Sequence, residues 1–171
     1  QMFIRNALAT ISALWSTLTQ QQRDSFDGAV EQWQGTNIFG DVVNPTGKTL
    51  FTKLNLNLKN SLQAQILLAP VKSILPAFAV SVVEYDNGDI TALVSGNALG
   101  FKIVVSATAP QSKGTAFYKG KYRQIGVIAG SATGSLALRD LYTAKFGAPD
   151  ADANISFQFI VVLPTGQASV P

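Results

Sequence analysis

The sequence predicts an α+β fold, in which about three helices form an N-terminal segment and an antiparallel β-sandwich of about seven strands follows. Apolar residues recur at helical spacing through the first part of the chain, and their period changes to two residues further on. Two prolines, Pro70 and Pro76, stand where the period changes. We therefore expect a helical docking or assembly region over 1–68, a proline-containing linker over 69–76 and a β-sandwich over 77–171.

Two amphipathic helices are predicted at the start of the chain. The apolar residues of the first recur at steps of three and one, which places them in a single stripe along about five turns. This stripe consists of Phe3, Ile4, Ala7, Leu8, Ile11, Leu14, Trp15 and Leu18. Thr19 and Gln22 then have the spacing of a capping box, which predicts that a second helix begins at Gln20. We expect the second helix to end at Gly35.

A third helix is predicted from Lys48 onward. Leu50, Leu54 and Leu58 are spaced as on one face of a helix, although residues 54–58 also alternate as a strand would. The length of the pattern favours a helix. Three one-sided helices have little material to cover their apolar faces, so we expect them to pack as a small unit or to clamp onto another surface.

The remaining chain has the pattern of short strands separated by turns. The predicted strands are 77–85, 90–94, 101–107, 122–128, 135–141 and 155–163, with a short last strand after them. Asn87-Gly88 is a strong hairpin signal, and Pro164-Thr165-Gly166 predicts a second tight turn. Strands of this length and spacing are typical of a sandwich.

The end of the chain resembles fibronectin type III-like modules. An alternating aromatic and aliphatic strand at 155–163, followed by Pro-Thr-Gly-Gln-Ala-Ser at 164–169, is similar to their last hairpin. The chain lacks the Trp that these modules usually carry in the second strand, and Ile155 stands where they have a Tyr. An immunoglobulin-like or other Greek-key sandwich therefore stays open.

The whole chain also resembles small bacteriophage structural proteins. It shares with them a helical motif Trp-x-x-Leu-Thr-x-x-Gln-Arg at 15–23 and a segment Gly-Lys-x-Leu-Phe-x-x-Leu-Asn at 47–55, followed by a sandwich. This resemblance implies a component of a virion that has no catalytic residues. It also implies that the partners are other virion proteins and copies of the chain itself.

The composition argues against several classes of function. The sequence has no Cys and no His, which excludes thiol nucleophiles, Cys-ligated metals and imidazole acid–base chemistry. The acidic residues fall mostly in predicted loops without a pairing signal, so we expect no enzyme, no cofactor and no metal site. A net charge of +3, with basic residues spread along the chain, predicts no nucleic-acid partner. The uncharged run 6–22 is too polar to span a membrane.

Three local patterns have an alternative functional interpretation. Gly47-Lys48-Thr49 is similar to the end of a phosphate-binding loop, but that motif needs a Gly where Val42 stands, so we interpret it as a helix start. Asp150, Asp152 and Asn154 alternate like the first half of a calcium loop, yet the Gly of the sixth position is missing. A solvated loop is the simpler interpretation, with a looser calcium site as the alternative.

The third pattern is a cluster of basic and aromatic residues. Its members are Lys113, Phe117, Tyr118, Lys119, Lys121, Tyr122 and Arg123. Aromatic rings between cations can stack on bases or sugars. We favour an exposed strand or hairpin whose lysines discourage edge pairing.

The leading hypothesis is a non-enzymatic structural component of a phage virion that is capsid-, decoration- or spike/tail-associated and acts through protein–protein assembly. The residues predicted to form the partner interface are Phe3, Leu8, Ile11, Trp15, Phe26, Trp33 and Phe51. The two tryptophans would be core residues in most proteins and become partner anchors if the helical region is too small to bury them. The alternative is an extracellular or cell-surface carbohydrate-binding or adhesive sandwich, which would bind a glycan through Tyr118 and Tyr122.

Overall fold

The structure is a computed structural model of the chain. It describes residues 2–86, 89–96, 100–114, 120–130, 134–149 and 153–170, with the backbone alone at 2–5, 82 and 84–86. The described residues form four α-helices, one 3₁₀ helix and eight strands, and the strand pairs are antiparallel. The predicted α+β class, with its helices toward the N-terminus, is confirmed.

The chain divides into two compact units. The first, which we call the helical unit, comprises Gln1–Leu75 together with Val162–Ala168. The second, the β unit, comprises Pro76–Val161 together with Ser169–Pro171. Residues predicted as a linker thus belong mostly to the helical unit, and so does a short stretch near the C-terminus.

Each unit has its own set of elements. The helical unit contains α1 (Met2–Thr17), α2 (Gln20–Ala29), a 3₁₀ helix (Val30–Trp33), β1 (Gly35–Thr36), β2 (Val42–Val43) and α3 (Gly47–Asn60). The β unit contains β3 (Phe78–Asp86), β4 (Asp89–Gly96), β5 (Lys102–Ala107), β6 (Arg123–Ala129), β7 (Gly134–Ala137), α4 (Arg139–Phe146) and β8 (Phe157–Val162), although the last residue of β8 is assigned to the helical unit.

Side-chain caps fix where two of the helices begin. Thr19 Oγ1 accepts from the Gln22 N–H at 3.3 Å, and Gln22 Oε1 accepts from the Thr19 N–H at 2.9 Å. The predicted capping box and the start of α2 are therefore confirmed. Thr46 Oγ1 accepts from the Thr49 N–H at 3.2 Å in front of α3. The ambiguous segment after Gly47 is thus a helix, as its length predicted.

The apolar stripes of the three helices meet in one core. Phe26 and Phe51 pack edge to face with ring centroids 5.2 Å apart, and the Trp15 ring lies 5.2 Å from that of Phe51. The other buried members of this core are Ile11, Leu18, Ala29, Trp33, Leu50 and Leu54. The helical unit therefore buries a core of its own.

A buried asparagine attaches the segment after α3 to that helix. Asn55 Oδ1 accepts from the Ile66 N–H at 2.9 Å. Asn55 Nδ2 donates to the carbonyl oxygens of Phe51 and Ile66, each at 3.1 Å. Because Asn55 is fully buried, removal of its side chain would leave the N–H and carbonyl groups of the partly buried Ile66 without the hydrogen bonds that it supplies.

The turn at 163–167 packs against α3 and explains why it belongs to the helical unit. Asn57 Nδ2 donates to the Gly166 carbonyl at 2.9 Å, and Gln167 Oε1 accepts from the Ser73 N–H at 3.0 Å. The approach is close, since a Cβ on Gly166 would lie 2.5 Å from the Leu54 carbonyl oxygen. The sequence analysis placed this turn in the sandwich, but its hydrogen bonds with Asn57 and Ser73 are made to residues of the helical unit.

The β unit contains two three-stranded sheets, ordered β3-β4-β7 and β6-β5-β8. β3 pairs with β4 from Phe78↔Gly96 to Asp86↔Asp89, with an irregularity between Val80 and Val82. The turn predicted at Asn87-Gly88 lies outside the described residues. The buried apolar residues are contributed by both sheets and include Ile90, Ala92, Val94, Ile103, Val105, Leu136 and Val161.

The strand predicted at 135–141 is wrong in its second half. β7 ends at Ala137, and the chain continues as α4, whose Tyr142 is fully buried. Tyr142 Oη donates to the Thr108 carbonyl at 3.3 Å, and burial raises the pKa of the Tyr142 phenol. Gly126 of β6 lets the Leu141 side chain approach closely, since a Cβ there would lie 2.6 Å from Leu141 Cδ2.

The sheets are also smaller than predicted. Across the described residues the strands form one two-stranded and two three-stranded sheets, rather than a single sandwich of seven strands. The helix α4 accounts for part of the difference, because it takes residues from a predicted strand and packs near β6 and β4. The two-stranded sheet lies in the helical unit, where no strand was predicted.

Candidate partner interface

A short hairpin projects between the 3₁₀ helix and α3. Its strands β1 and β2 pair antiparallel, with Gly35 opposite Val43 and Thr36 opposite Val42. Residues 37–41 form the loop between them. The sequence analysis predicts no helix or strand between Gly35 and Lys48, so this hairpin is a finding of the structure.

One asparagine side chain holds the loop in its conformation. Asn37 Oδ1 accepts from the N–H groups of Phe39 and Asp41, both at 2.9 Å. Asn37 Nδ2 donates to Asp41 Oδ2 at 3.0 Å, and the Gly40 N–H donates to the Asn37 carbonyl at 3.1 Å. An asparagine that bonds to its own turn in this way supplies contacts that an exposed loop otherwise lacks.

The loop presents large apolar side chains outward. Ile38 is 92% exposed and Phe39 is 82% exposed, and Val42 beside them is 66% exposed. Val43 is also exposed. We call Ile38 and Phe39, which lie in the loop, the hairpin tip. Single exposed apolar side chains are common, but several together on a fixed loop mark an interaction surface.

A cavity of about 340 Å³ lies at the base of the same hairpin. Its walls include Trp33, Thr36, Val43, Pro45, Leu50 and Lys53. We call it the base cavity. Trp33 is buried, and no described residue accepts a hydrogen bond from its Nε1, so this side chain is held by burial of its ring. The Lys72 Nζ lies 5.9 Å from the centre of that ring.

The charges on the tip and on the base cavity have opposite sign. Asp41 is the one charged residue of the sequence from 34 to 47. Lys53, whose side chain is exposed, lies on the wall of the base cavity. The hairpin thus combines an apolar knob that carries a carboxylate with an apolar cavity that carries an ammonium group.

The predicted interface residues are mostly inside the helical unit. Ile11, Phe26 and Phe51 have no exposed surface, and Trp33 is nearly as buried. Leu8 is 39% exposed, Trp15 is partly buried against the core, and the side chain of Phe3 lies outside the described part. In the isolated chain a partner could therefore reach Leu8 and part of Trp15. The set stays a prediction as an interface.

Sequence reasoning missed Ile38 and Phe39. A signal was present, because two bulky apolar residues stand between Asn37 and Gly40, which are both turn formers. Periodicity could not reveal them, since a pair of residues has no period. A second group of exposed apolar residues lies in the extended segment after α3, namely Leu62, Leu68, Val71 and Ile74.

The β unit has a cleft of about 580 Å³. Its walls include Phe78, Tyr122, Phe157, Gln158, Phe159 and Ser169. Tyr122 Oη lies 2.7 Å from Ser156 Oγ, which fixes the ring of this tyrosine beside the cleft. Of the predicted basic and aromatic cluster, Lys121 Nζ donates to Gln111 Oε1 at 2.7 Å. Residues 115–119 of that cluster lie outside the described part.

The other candidate motifs have structural explanations or lie outside the description. The Gly47 N–H donates to Asp27 Oδ1 at 3.1 Å, so a carboxylate occupies the helix start where a phosphate would bind. Residues 150–152 of the calcium-like pattern are not described. Among the residues that are, no three His, Cys, Asp or Glu side chains form a group that could hold a metal ion.

Within the described ranges, none of the helices has both the length and the apolar character needed to cross a membrane. No known protein family, curated protein or solved structure matches the sequence or the fold. The residues of the chain itself therefore carry the functional argument.

Proposed function

We propose that the chain is a non-enzymatic structural component of a phage virion that acts through protein–protein assembly. The observation that carries the assembly function is the hairpin tip. Its apolar side chains are exposed, and yet Asn37 holds the loop in one conformation. A loop ordered in advance loses little conformational entropy when it binds, so exposed anchors on such a loop favour association.

The chemistry of the sequence supports a binding role over a catalytic one. The chain has neither Cys nor His, and only 13% of its residues are charged. A surface with so few charges gives weak repulsion between copies and suits repeated contacts in a symmetric assembly. Within the proposal, the helical unit supplies the contacts and the β unit is the projecting module, with the two three-stranded sheets as the layers of a fibronectin type III-like sandwich.

The assembly function is tested with the full chain by light scattering over a range of concentrations. We expect the weight-average mass to rise above that of the monomer as concentration increases, because many weak apolar contacts add together. A single monomeric mass at every concentration, up to the solubility limit, would contradict assembly through copies of the chain.

The virion location and its capsid, decoration or spike/tail position rest on the resemblance of 15–23 and 47–55 to phage structural proteins. Mass spectrometry of purified phage particles from the source organism tests this part. Peptides of the chain should be present in many copies per particle. Their absence from intact particles would remove the virion location and leave the assembly function standing.

A second candidate function is carbohydrate binding or adhesion by the β unit at a cell surface. The cleft beside Tyr122 favours it, because Phe157 and Phe159 add aromatic faces and Gln158 adds an amide. Sugars stack on aromatic rings and form hydrogen bonds with amides. A glycan array, with and without calcium, tests this candidate against a Gln158→Ala variant. An array without any bound glycan would remove it.

A further inference from the structure

We propose that the β1–β2 hairpin pairs with the same hairpin of a second copy, so that the tip of each enters the base cavity of the other. This inference rests on the proposed assembly function and names both its surface and its partner. The hairpin tip comprises Ile38 and Phe39 of the loop, and the base cavity lies beside Trp33, Val43 and Lys53.

The positions of the two features on one hairpin suit a two-fold arrangement. The tip is at one end of the hairpin, and the cavity is lined by Thr36 and Val43 at the other. When two hairpins lie side by side in opposite directions, each tip meets the other base. Such a contact is isologous, so both tips and both cavities are filled and the assembly closes as a dimer.

The occupant and the cavity are chemically matched. Ile38 and Phe39 are apolar, and so are the walls formed by Trp33, Pro45 and Leu50. The pairing would also bring Asp41 of one copy toward Lys53 of the other. Opposite charges at the rim of an apolar contact align the partners and disfavour other orientations.

The area of the contact suits a weak dimer. A large side chain presents roughly 150–200 Å² when it is fully exposed. By the exposed fractions of Ile38 and Phe39, the hairpin tip of one copy presents roughly 300 Å². Two tips present roughly 600 Å², and the cavity walls that they cover bring the total to roughly 1,000 Å², the low end for a specific interface.

The sequence around the tip favours this occupant over a lipid surface. Segments that bind anionic membranes carry several Lys or Arg beside their apolar residues. From 34 to 47 the sequence has none, and its single charge is that of Asp41. The carboxylate would be repelled by anionic headgroups, whereas the ammonium group of Lys53 attracts it.

The first experiment locates the contact by zero-length cross-linking of the full chain. A carbodiimide joins a carboxylate to an amine that touches it, and a mixture of isotopically light and heavy chains identifies links between copies. We expect a cross-linked dimer that contains Asp41 joined to Lys53. The Lys53→Arg variant keeps the charge but has no reactive amine, so it should lose this link and keep the same mass by light scattering.

The second experiment measures the contribution of the tip. The double variant Ile38→Asp/Phe39→Asp should weaken the dimer by about tenfold or more in sedimentation velocity, since anchors at the centre of an interface dominate its affinity. Ile74→Asp is the matched control, because Ile74 is 96% exposed in the same unit but remote in sequence from the hairpin. It should leave the dimer unchanged.

The outcomes separate this inference from the assembly function. If the chain assembles but gives no Asp41–Lys53 link between copies, and if the double variant assembles as well as the control, the hairpin pairing is overturned and the assembly function stands. A chain that is monomeric throughout contradicts both. If a monomeric chain binds phosphatidylcholine or phosphatidylserine vesicles and the double variant does not, a lipid surface replaces the second copy as the occupant.

Discussion

The loop at 37–41 and the turn at 163–167 both belong to the helical unit, and each reverses the chain around a glycine with positive φ, +88° at Gly40 and +80° at Gly166. In the turn, Leu163 and Gln167 are buried, and Gln167 Oε1 accepts from the Ser73 N–H of the same unit. The loop leaves its apolar side chains in solvent. A turn is usually ordered because it packs, and this loop is ordered without packing. The difference separates residues that stabilise the fold from residues that are available to a partner.

Substitution of the two glycines should give the largest difference between the regions. Gly166→Ala should cost about 3 kcal/mol, because the new Cβ would overlap the Leu54 carbonyl and Ala is strained at this φ. Gly40→Ala has the same strain, but no atom lies within 4 Å of its Cβ, so the expected cost is about 1 kcal/mol. Urea unfolding measures both. Equal losses would show that the turn does not need its close approach to α3.

Two asparagines provide the next comparison. Asn55→Ala should cost about 2 kcal/mol, since it removes a fully buried side chain and leaves the partly buried Ile66 N–H without this partner. Asn37→Ala frees groups that water can reach, so we expect it to cost less than about 1 kcal/mol. Denaturant midpoints at constant m value measure these changes. If Asn37→Ala lowered the free energy of unfolding more than Asn55→Ala, the loop at 37–41 would contribute to the stability of the fold.

Tyr142 extends the comparison to the β unit and should give the smallest effect at neutral pH. Its hydrogen bond of 3.3 Å is long, so Tyr142→Phe should cost about 0.5–1 kcal/mol. Because burial raises the folded-state pKa above the ordinary value of 10.0, the unfolded chain loses this proton first as pH rises. Tyr142 therefore contributes stability that is present below pH 10 and lost above it.

Unfolding at pH 7 and near pH 11 checks this prediction. The wild-type chain and the Gly40→Ala variant should both lose stability at the higher pH, and Tyr142→Phe should lose less. If all three lose the same amount, deprotonation of Tyr142 is not what limits alkaline stability, and the pKa shift is smaller than its burial implies.

Local signals made the helices predictable from sequence. The cap formed by Thr19 and Gln22 is contained in four consecutive residues, and the apolar stripes extend over several turns. The helix α4 was missed, and its first residues were predicted as part of a strand because Leu136 and Leu138 alternate like one. Leu138 and Tyr142 are also four residues apart, and packing of α4 near Gly126 selected the helix.

The sequence predicted that the helical region contacts a partner, but it did not identify the residues that are exposed to one. Apolar residues at helical spacing, such as Phe26 and Phe51, were predicted to contact a partner, and in the isolated chain they lie in the core. An apolar stripe can face either the core or a partner. The sequence does not show how much of the stripe is buried within the chain itself. The contact between Asn57 and Gly166 joins residues separated by 109 positions, which no local pattern contains.

The assignment of Val162–Ala168 to the helical unit has a consequence during synthesis. Ribosomes add about 5–20 residues per second, so roughly 4 to 17 s separate the emergence of Leu75 from that of Val162. Throughout that time α1, α2 and α3 are complete in the nascent chain, but the segment that covers α3 has not been made. All of the β unit except Ser169–Pro171 is translated within this interval. The helical unit can therefore be completed only after nearly all of the β unit has been made.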